Sequence, residues 1–122
     1  MDIILHNHSS VPLYKQLYTQ IVQAIAAGQL RAGDSLPSIR TLARDLGIGI
    51  ITVKTAYEQL EQDGYLRVQP AKGCFVHNNA PALANNSLQE LETATLAFVQ
   101  YCKQKGYTRQ EIADKIDKLY DN

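Results

Sequence analysis

Three stretches of helical periodicity, each cut off by a glycine and then followed by two brief extended runs, leave this chain few folds to choose from. Pro12 opens the first helix at a position where a missing N–H costs little. Tyr14, Leu17, Tyr18, Ile21 and Ile25 then recur at three- and four-residue steps, making one apolar face that ends at Gly28. Gly33, Asp34 and Pro37 mark a turn region. Ser38 suits the cap of a short second helix with Ile39, Leu42, Ala43 and Leu46 inward, and Gly47 stops it. A third helix begins within a few residues, turns Val53, Ala56, Tyr57 and Leu60 inward, and closes at Asp63-Gly64. The runs Tyr65-Leu66-Arg67-Val68 and Cys74-Phe75-Val76, on either side of Gln69-Pro70-Ala71-Lys72-Gly73, read as a hairpin.

Three helices and a hairpin in this order predict a winged helix-turn-helix over residues 1–76, with a two-stranded wing. Residues 77–86 are small, polar and broken by Pro81, the composition of a linker. Helix signals resume at Ser87-Leu88-Gln89-Glu90, which reads as a capping box. Leu88, Leu91, Thr95, Phe98 and Cys102 then step by three or four residues. Gly106 interrupts, Thr108-Arg109-Gln110-Glu111 offers a second capping box, and Ile112, Ile116 and Leu119 line a last helix. The expected fold is therefore mainly α with a small β component, and 87–122 form a two-helix tail. The tail stripe predicts a seam between two copies of the chain rather than a fold-back onto its own winged domain. Such a homodimer would set two reading helices about one helical turn (~34 Å) apart.

Bulk charge says little. Twelve basic side chains balance twelve acidic ones, and residues 1–76 carry seven basic against six acidic. A nucleic-acid footprint must come from local placement. Apolar stretches fall short of the roughly 20 residues a membrane helix needs, so no membrane partner is expected. Met1–His6 lacks the basic start and long apolar run of a signal peptide, and there are only two cysteines; both point to a reducing cytoplasmic setting. No phosphate loop, His-Glu-x-x-His or Gly-x-Ser-x-Gly pattern occurs, which argues against an enzyme. Nor do His6, His8, Cys74, His77 and Cys102 converge in sequence as metal ligands would, so neither metal nor cofactor is expected.

The third helix has the anatomy of a reading helix. Its inward face leaves Ile51, Lys54, Thr55 and Glu58 outward, and Thr52 stands near the N-terminus, where backbone N–H groups favour a phosphate. Lys54 and Thr55 suit phosphate or base-edge contacts. Arg40 and Arg44, four apart on the bracing helix, suit phosphates, and Lys72 at the hairpin tip suits the adjacent minor groove or its backbone. Gly73 is expected to supply a positive φ at the wing.

Gly28–Ala43 (GQLRAGDSLPSIRTLA), Leu46-Gly47-Ile48, Thr52–Tyr57, Leu60–Tyr65 and Lys72–Val76, preceded by Pro12–Leu17, resemble in order the signature of the GntR family of bacterial regulators. The resemblance covers roughly residues 10–76. Only 46 residues follow Val76, which is similar to the YtrA subfamily, whose short tail serves dimerisation in place of a large effector domain. It implies a homodimeric repressor or dual regulator on an inverted-repeat operator in double-stranded DNA. Arg40, Thr52, Lys54, Lys72 and Gly73 match the family's functional positions, and Ser38, Arg44, Gly49 and Thr55 are expected on the DNA-binding face with them. The chain departs from the pattern at Gly49, Ile50 and Ile51, where relatives carry Ser or Thr, then Arg, then a polar residue. The base contact of that family arginine is not carried over to Ile50. Gln69 replaces a frequent basic residue, and Ala71 a common wing glycine.

For Ile51 and Ile50 the reading is contact with thymine methyl groups; packing inward, Ile50 beside Val53, is the alternative. Little room remains for a buried pocket of a few hundred Å³, so a small effector is expected, where one acts, at the dimer interface or between tail and winged domain. The competing function is a winged-helix module that docks protein or RNA and recruits a partner through its tail.

Overall fold

A computed structural model describes residues 1–120. The element order is α1 (Leu13–Ala26), β1 (Ser35–Leu36), α2 (Ile39–Leu46), α3 (Ile50–Gln62), β2 (Leu66–Gln69), β3 (Gly73–Val76), α4 (Ala80–Lys105) and α5 (Arg109–Tyr120). The chain divides into two compact units, Met1–Asn86 and Ser87–Asn122.

The first unit is built on the apolar faces of α1 and α3. Leu17, Ile21 and Ile25 from α1 meet Val53 and Leu60 from α3, and Leu66 and Val76 close the core from the sheet; all seven are fully buried. Each such side chain contributes about 1.5–3 kcal/mol by leaving water. Tyr14 departs from the expected stripe: at 37% exposure it stands outside the core, and Val22 and Ala24 are buried instead. Pro12 sits at the N-cap of α1, one residue before the first helical turn. Ahead of it, two glutamines one turn apart hold the extended N-terminus. Gln20 exchanges two hydrogen bonds with the backbone of Ile4 (2.9 and 2.6 Å), and Gln16 does the same with His6 (2.9 and 3.0 Å).

Two tyrosine hydroxyls tie α3 down, one at mid-helix and one at its C-terminal end. Tyr57 donates to the Pro37 carbonyl (2.8 Å), just ahead of α2, and Tyr18 of α1 donates to Asp63 (2.5 Å) at the C-cap of α3. The sheet order is β1-β3-β2, antiparallel throughout. The wing therefore has a third strand. Ser35 and Leu36 pair with Phe75 and Cys74, and Leu36 is buried. Two residues are too few to show a period, so this strand reads as turn in the sequence. At the hairpin tip Ala71 takes a φ of +66°, a left-handed conformation that L side chains resist. Gly73 has a φ of +117°, and a Cβ there would meet nothing within 4 Å, so its role is conformational.

The linker-like composition of 77–86 gives way to helix from Ala80 onward. Pro81 falls in the first turn, where no intrahelical partner awaits its missing N–H. Ala80 and Ala84 are small enough to bury in the core of the first unit. Ser87–Glu90 consequently lies inside α4 and not at a helix start. The second capping box does form: Glu111 N–H donates to Thr108 Oγ1 (3.2 Å) and Thr108 N–H to Glu111 Oε1 (3.1 Å).

Replacing Ala71 by Gly is expected to raise stability by about 0.5–1 kcal/mol in denaturant melts, the left-handed penalty outweighing glycine's extra chain entropy. No gain would mean that the tip holds Ala71 without strain. Burial, with the hydrogen bond to Asp63, pushes the Tyr18 hydroxyl well above the ordinary tyrosine range, and burial raises Tyr57 likewise. Both stay protonated when folded, at a pH where unfolded tyrosines, near 10, ionise. Stability should fall as pH climbs past about 10, and Tyr18→Phe should flatten that fall.

Candidate nucleic-acid interface

The turn between α2 and α3 sets the geometry. Gly47 ends α2 in the left-handed conformation (φ +67°), its N–H turned back to the Ala43 and Arg44 carbonyls. Three residues then separate the helices. Gly49 is the N-cap of α3 but has no side chain to cap with, and among the described residues the N–H groups of Ile50, Ile51 and Thr52 find no acceptor. This leaves the first turn of α3 with bare donors and the positive end of its dipole.

The side chains around that turn differ in how free they are. Ile51 is 78% exposed and Ile50 46%, so neither packs inward. Thr52 is half-buried. Thr55 donates its hydroxyl to the Ile51 carbonyl (2.8 Å). Lys54 lies 3.8 Å from Glu58, an exposed pair of little energetic weight. On α2, Ser38 is fully engaged as a cap, accepting from Thr41 N–H (3.1 Å) and donating to Thr41 Oγ1 (2.8 Å). Arg40 is exposed and makes no hydrogen bond or ion pair among the described residues, whereas Arg44 lies beside Asp45 (3.6 Å). Lys72 is exposed at the wing tip, where its N–H closes the turn onto Gln69.

Ser38, Lys54 and Gly73, from three separate elements, border one open groove of about 400 Å³ between α3, the start of α2 and the sheet. Cys74 also lines it; burial and the Glu61 carboxylate push its thiol up, so it stays protonated. Arg67 is a wing cation that sequence reasoning passed over. It lies over the Phe75 ring (5.2 Å), directly across the hairpin, with its Nε buried and unpartnered. The alternation of β2 was the available signal, since it sets Arg67 on the opposite face from buried Leu66.

In the second unit, the tail stripe is mostly uncovered. Leu91, Thr95, Phe98, Ile116 and Leu119 are exposed, Leu88 and Ile112 half-buried, and Cys102 buried. Among the described residues no helix is long and apolar enough to cross a membrane, and no three His, Cys, Asp or Glu side chains cluster as metal ligands.

Three helices closed by an antiparallel wing, with the third helix open at its N-terminus, define a winged helix-turn-helix. Residues 13–76 match the profile of the bacterial regulatory proteins of the gntR family, and the chain belongs to that family. It is YtrA-like within it. Over 72 residues it is 35% identical to the HTH-type transcriptional repressor YtrA of Bacillus subtilis (strain 168), covering 59% of this chain and 55% of that protein. The crystal structure of a transcriptional regulator from Oenococcus oeni superposes with a TM-score of 0.74 at 30% identity, covering 95% of this chain and 97% of the other. YtrA from Sulfolobus acidocaldarius, a GntR-family transcription factor, does so at 0.62 and 38% identity, covering 78% and 97%. Other curated relatives at 34–42% identity are much longer, and the chain spans only 17–21% of their length.

Proposed function

We propose that this chain is a sequence-specific DNA-binding regulator, a repressor that acts as a homodimer on an inverted-repeat operator in the cytoplasm. The observation that carries the DNA reading is the first turn of α3. It presents uncapped N–H groups and exposed side chains, and the freely exposed cations Arg40 and Lys72 lie on the adjoining α2 and wing. In this reading α3 enters the major groove and α2 braces it. Arg40, Arg44, Thr52 and Lys72 hold phosphates, together with the backbone about Ser38, Gly49 and Gly73. Lys54, Thr55, Ile50 and Ile51 face base edges. The repressor assignment is supported by the name of the Bacillus subtilis relative.

Residues 1–76 are the DNA-binding part and the tail from Ser87 the dimerisation part. Among the described residues from Ser87 on, Cys102 alone is buried. A pair of helices that leaves Leu91 63% and Leu119 71% exposed does not cover its own apolar stripe. A second copy supplies the cover, and doubles the phosphate contacts that a near-neutral monomer can offer.

Duplexes selected from random DNA should share an inverted repeat, and affinity for them should fall steeply with salt. Arg40→Ala is expected to weaken binding to all duplexes alike and to reduce the salt slope by about 1. Salt-insensitive binding, or enrichment of no duplex, would instead favour a protein- or RNA-docking module. Leu91→Asp should sediment as a monomer and lose specific binding while keeping its helical circular dichroism. A variant that stays dimeric would move the interface off this stripe.

A further inference from the structure

The side chains in the first turn of α3 are unlike those that recognise guanine. Guanine is read in the major groove by a pair of donors on one side chain, from arginine or lysine, and adenine by an amide. The first turn of α3 holds neither arginine nor amide. It presents Ile50 and Ile51, both exposed. One turn along the same face, Thr55 has given its only donor to the Ile51 carbonyl. What remains at Thr55 is an acceptor oxygen and a methyl group. Lys54, the one cation on α3, is drawn toward Glu58.

Two isoleucines in water at the tip of a helix are costly unless something covers them. The surroundings say what that is. The bare N–H groups of the same turn carry the positive end of a helix dipole, and Arg40 of α2 and Lys72 of the wing are exposed cations without a partner among the described residues. An apolar tip at the positive end of a helix fits a polyanion that carries apolar groups on its edge. Duplex DNA does so in one place, the C5 methyl of thymine in the major groove.

We infer that Ile51, with Ile50 and the Thr55 methyl beside it, reads C5-methyl groups, so that the chain selects thymine by its methyl and treats 5-methylcytosine as a near equivalent. This rests on the DNA-binding reading above. It adds a consequence of its own: methylation of cytosine at a read position strengthens binding instead of blocking it.

The test uses the full-length protein and the duplex that emerges from random selection. Thymines at the conserved positions are replaced singly by uracil, which removes the methyl and leaves the pairing edge intact. Each read thymine should lose about fourfold in affinity, the equivalent of one buried methyl. In parallel, cytosine and 5-methylcytosine are placed at the same positions, and the methylated base should bind better by a similar factor. Ile51→Ala, at a site exposed enough to leave the fold intact, should bind thymine and uracil duplexes alike. Equal wild-type affinity for thymine and uracil, or for cytosine and 5-methylcytosine, overturns the inference, as does unchanged discrimination in Ile51→Ala. Those outcomes leave DNA binding standing. Failure to enrich any duplex removes both.

Discussion

The rest of the first unit depends on the buried face of α3. Val53, Ala56, Tyr57 and Leu60 recur at three- and four-residue steps and leave water almost completely, against Leu17, Ile21 and Ile25 of α1. An apolar stripe can face the core in only one rotation of the helix, so burying it decides what the opposite side offers. Translation along the helix is fixed separately. The Tyr57 hydroxyl holds α3 to the carbonyl just ahead of α2, and the Tyr18 hydroxyl holds the Asp63 end to α1. A helix rotated by its core and pinned at two places presents Ile51, Lys54 and Thr55 without adjustment. Reading base edges requires that preorganisation.

Most of this unit was legible because its signals are redundant. Periodicity, the cap at Ser38 and the stop at Gly47 all agree on α2, and the same agreement placed α3 and the hairpin. Legibility failed where a single composition had two physical meanings. Alanine, asparagine and proline between His77 and Asn86 read as linker, yet proline in a first turn is harmless and small alanines are what a crowded core accepts. Strand β1 was hidden because two residues have no period. The glutamine clamps on the N-terminus were hidden because Gln16 and Gln20 look like any polar face of an amphipathic helix. Their partners are backbone groups, which no side-chain pattern marks.

The candidate site was legible to a different degree. Arg40 and Lys72 are exposed. Ser38 is tied up as a cap, and Arg44 is drawn to its neighbour Asp45. Sequence spacing tells which face a residue occupies but not what already holds its polar atoms. Thr55 shows the difference: an outward threonine looks like a hydrogen-bond donor until its hydroxyl is found on the Ile51 carbonyl.

Net neutrality, the strongest objection to a nucleic-acid partner, weakens once the acidic residues of the first unit are placed. Asp63 accepts from Tyr18 and Gln59 at the far end of α3 from Ile51. Asp34 accepts the Arg31 N–H in the turn before β1, and Asp45 lies against Arg44. Glu58, beside Lys54, and Glu61 line the groove between α3, α2 and the sheet. Three of the six carboxylates of residues 1–76 thus serve local structure, while Arg40 and Lys72 are exposed with no ion pair among the described residues. A duplex responds to the field within about a Debye length, roughly 8–10 Å at ordinary salt, and not to the sum over the chain. A balanced count over the chain is thus compatible with the exposed cations Arg40 and Lys72 and the open end of α3.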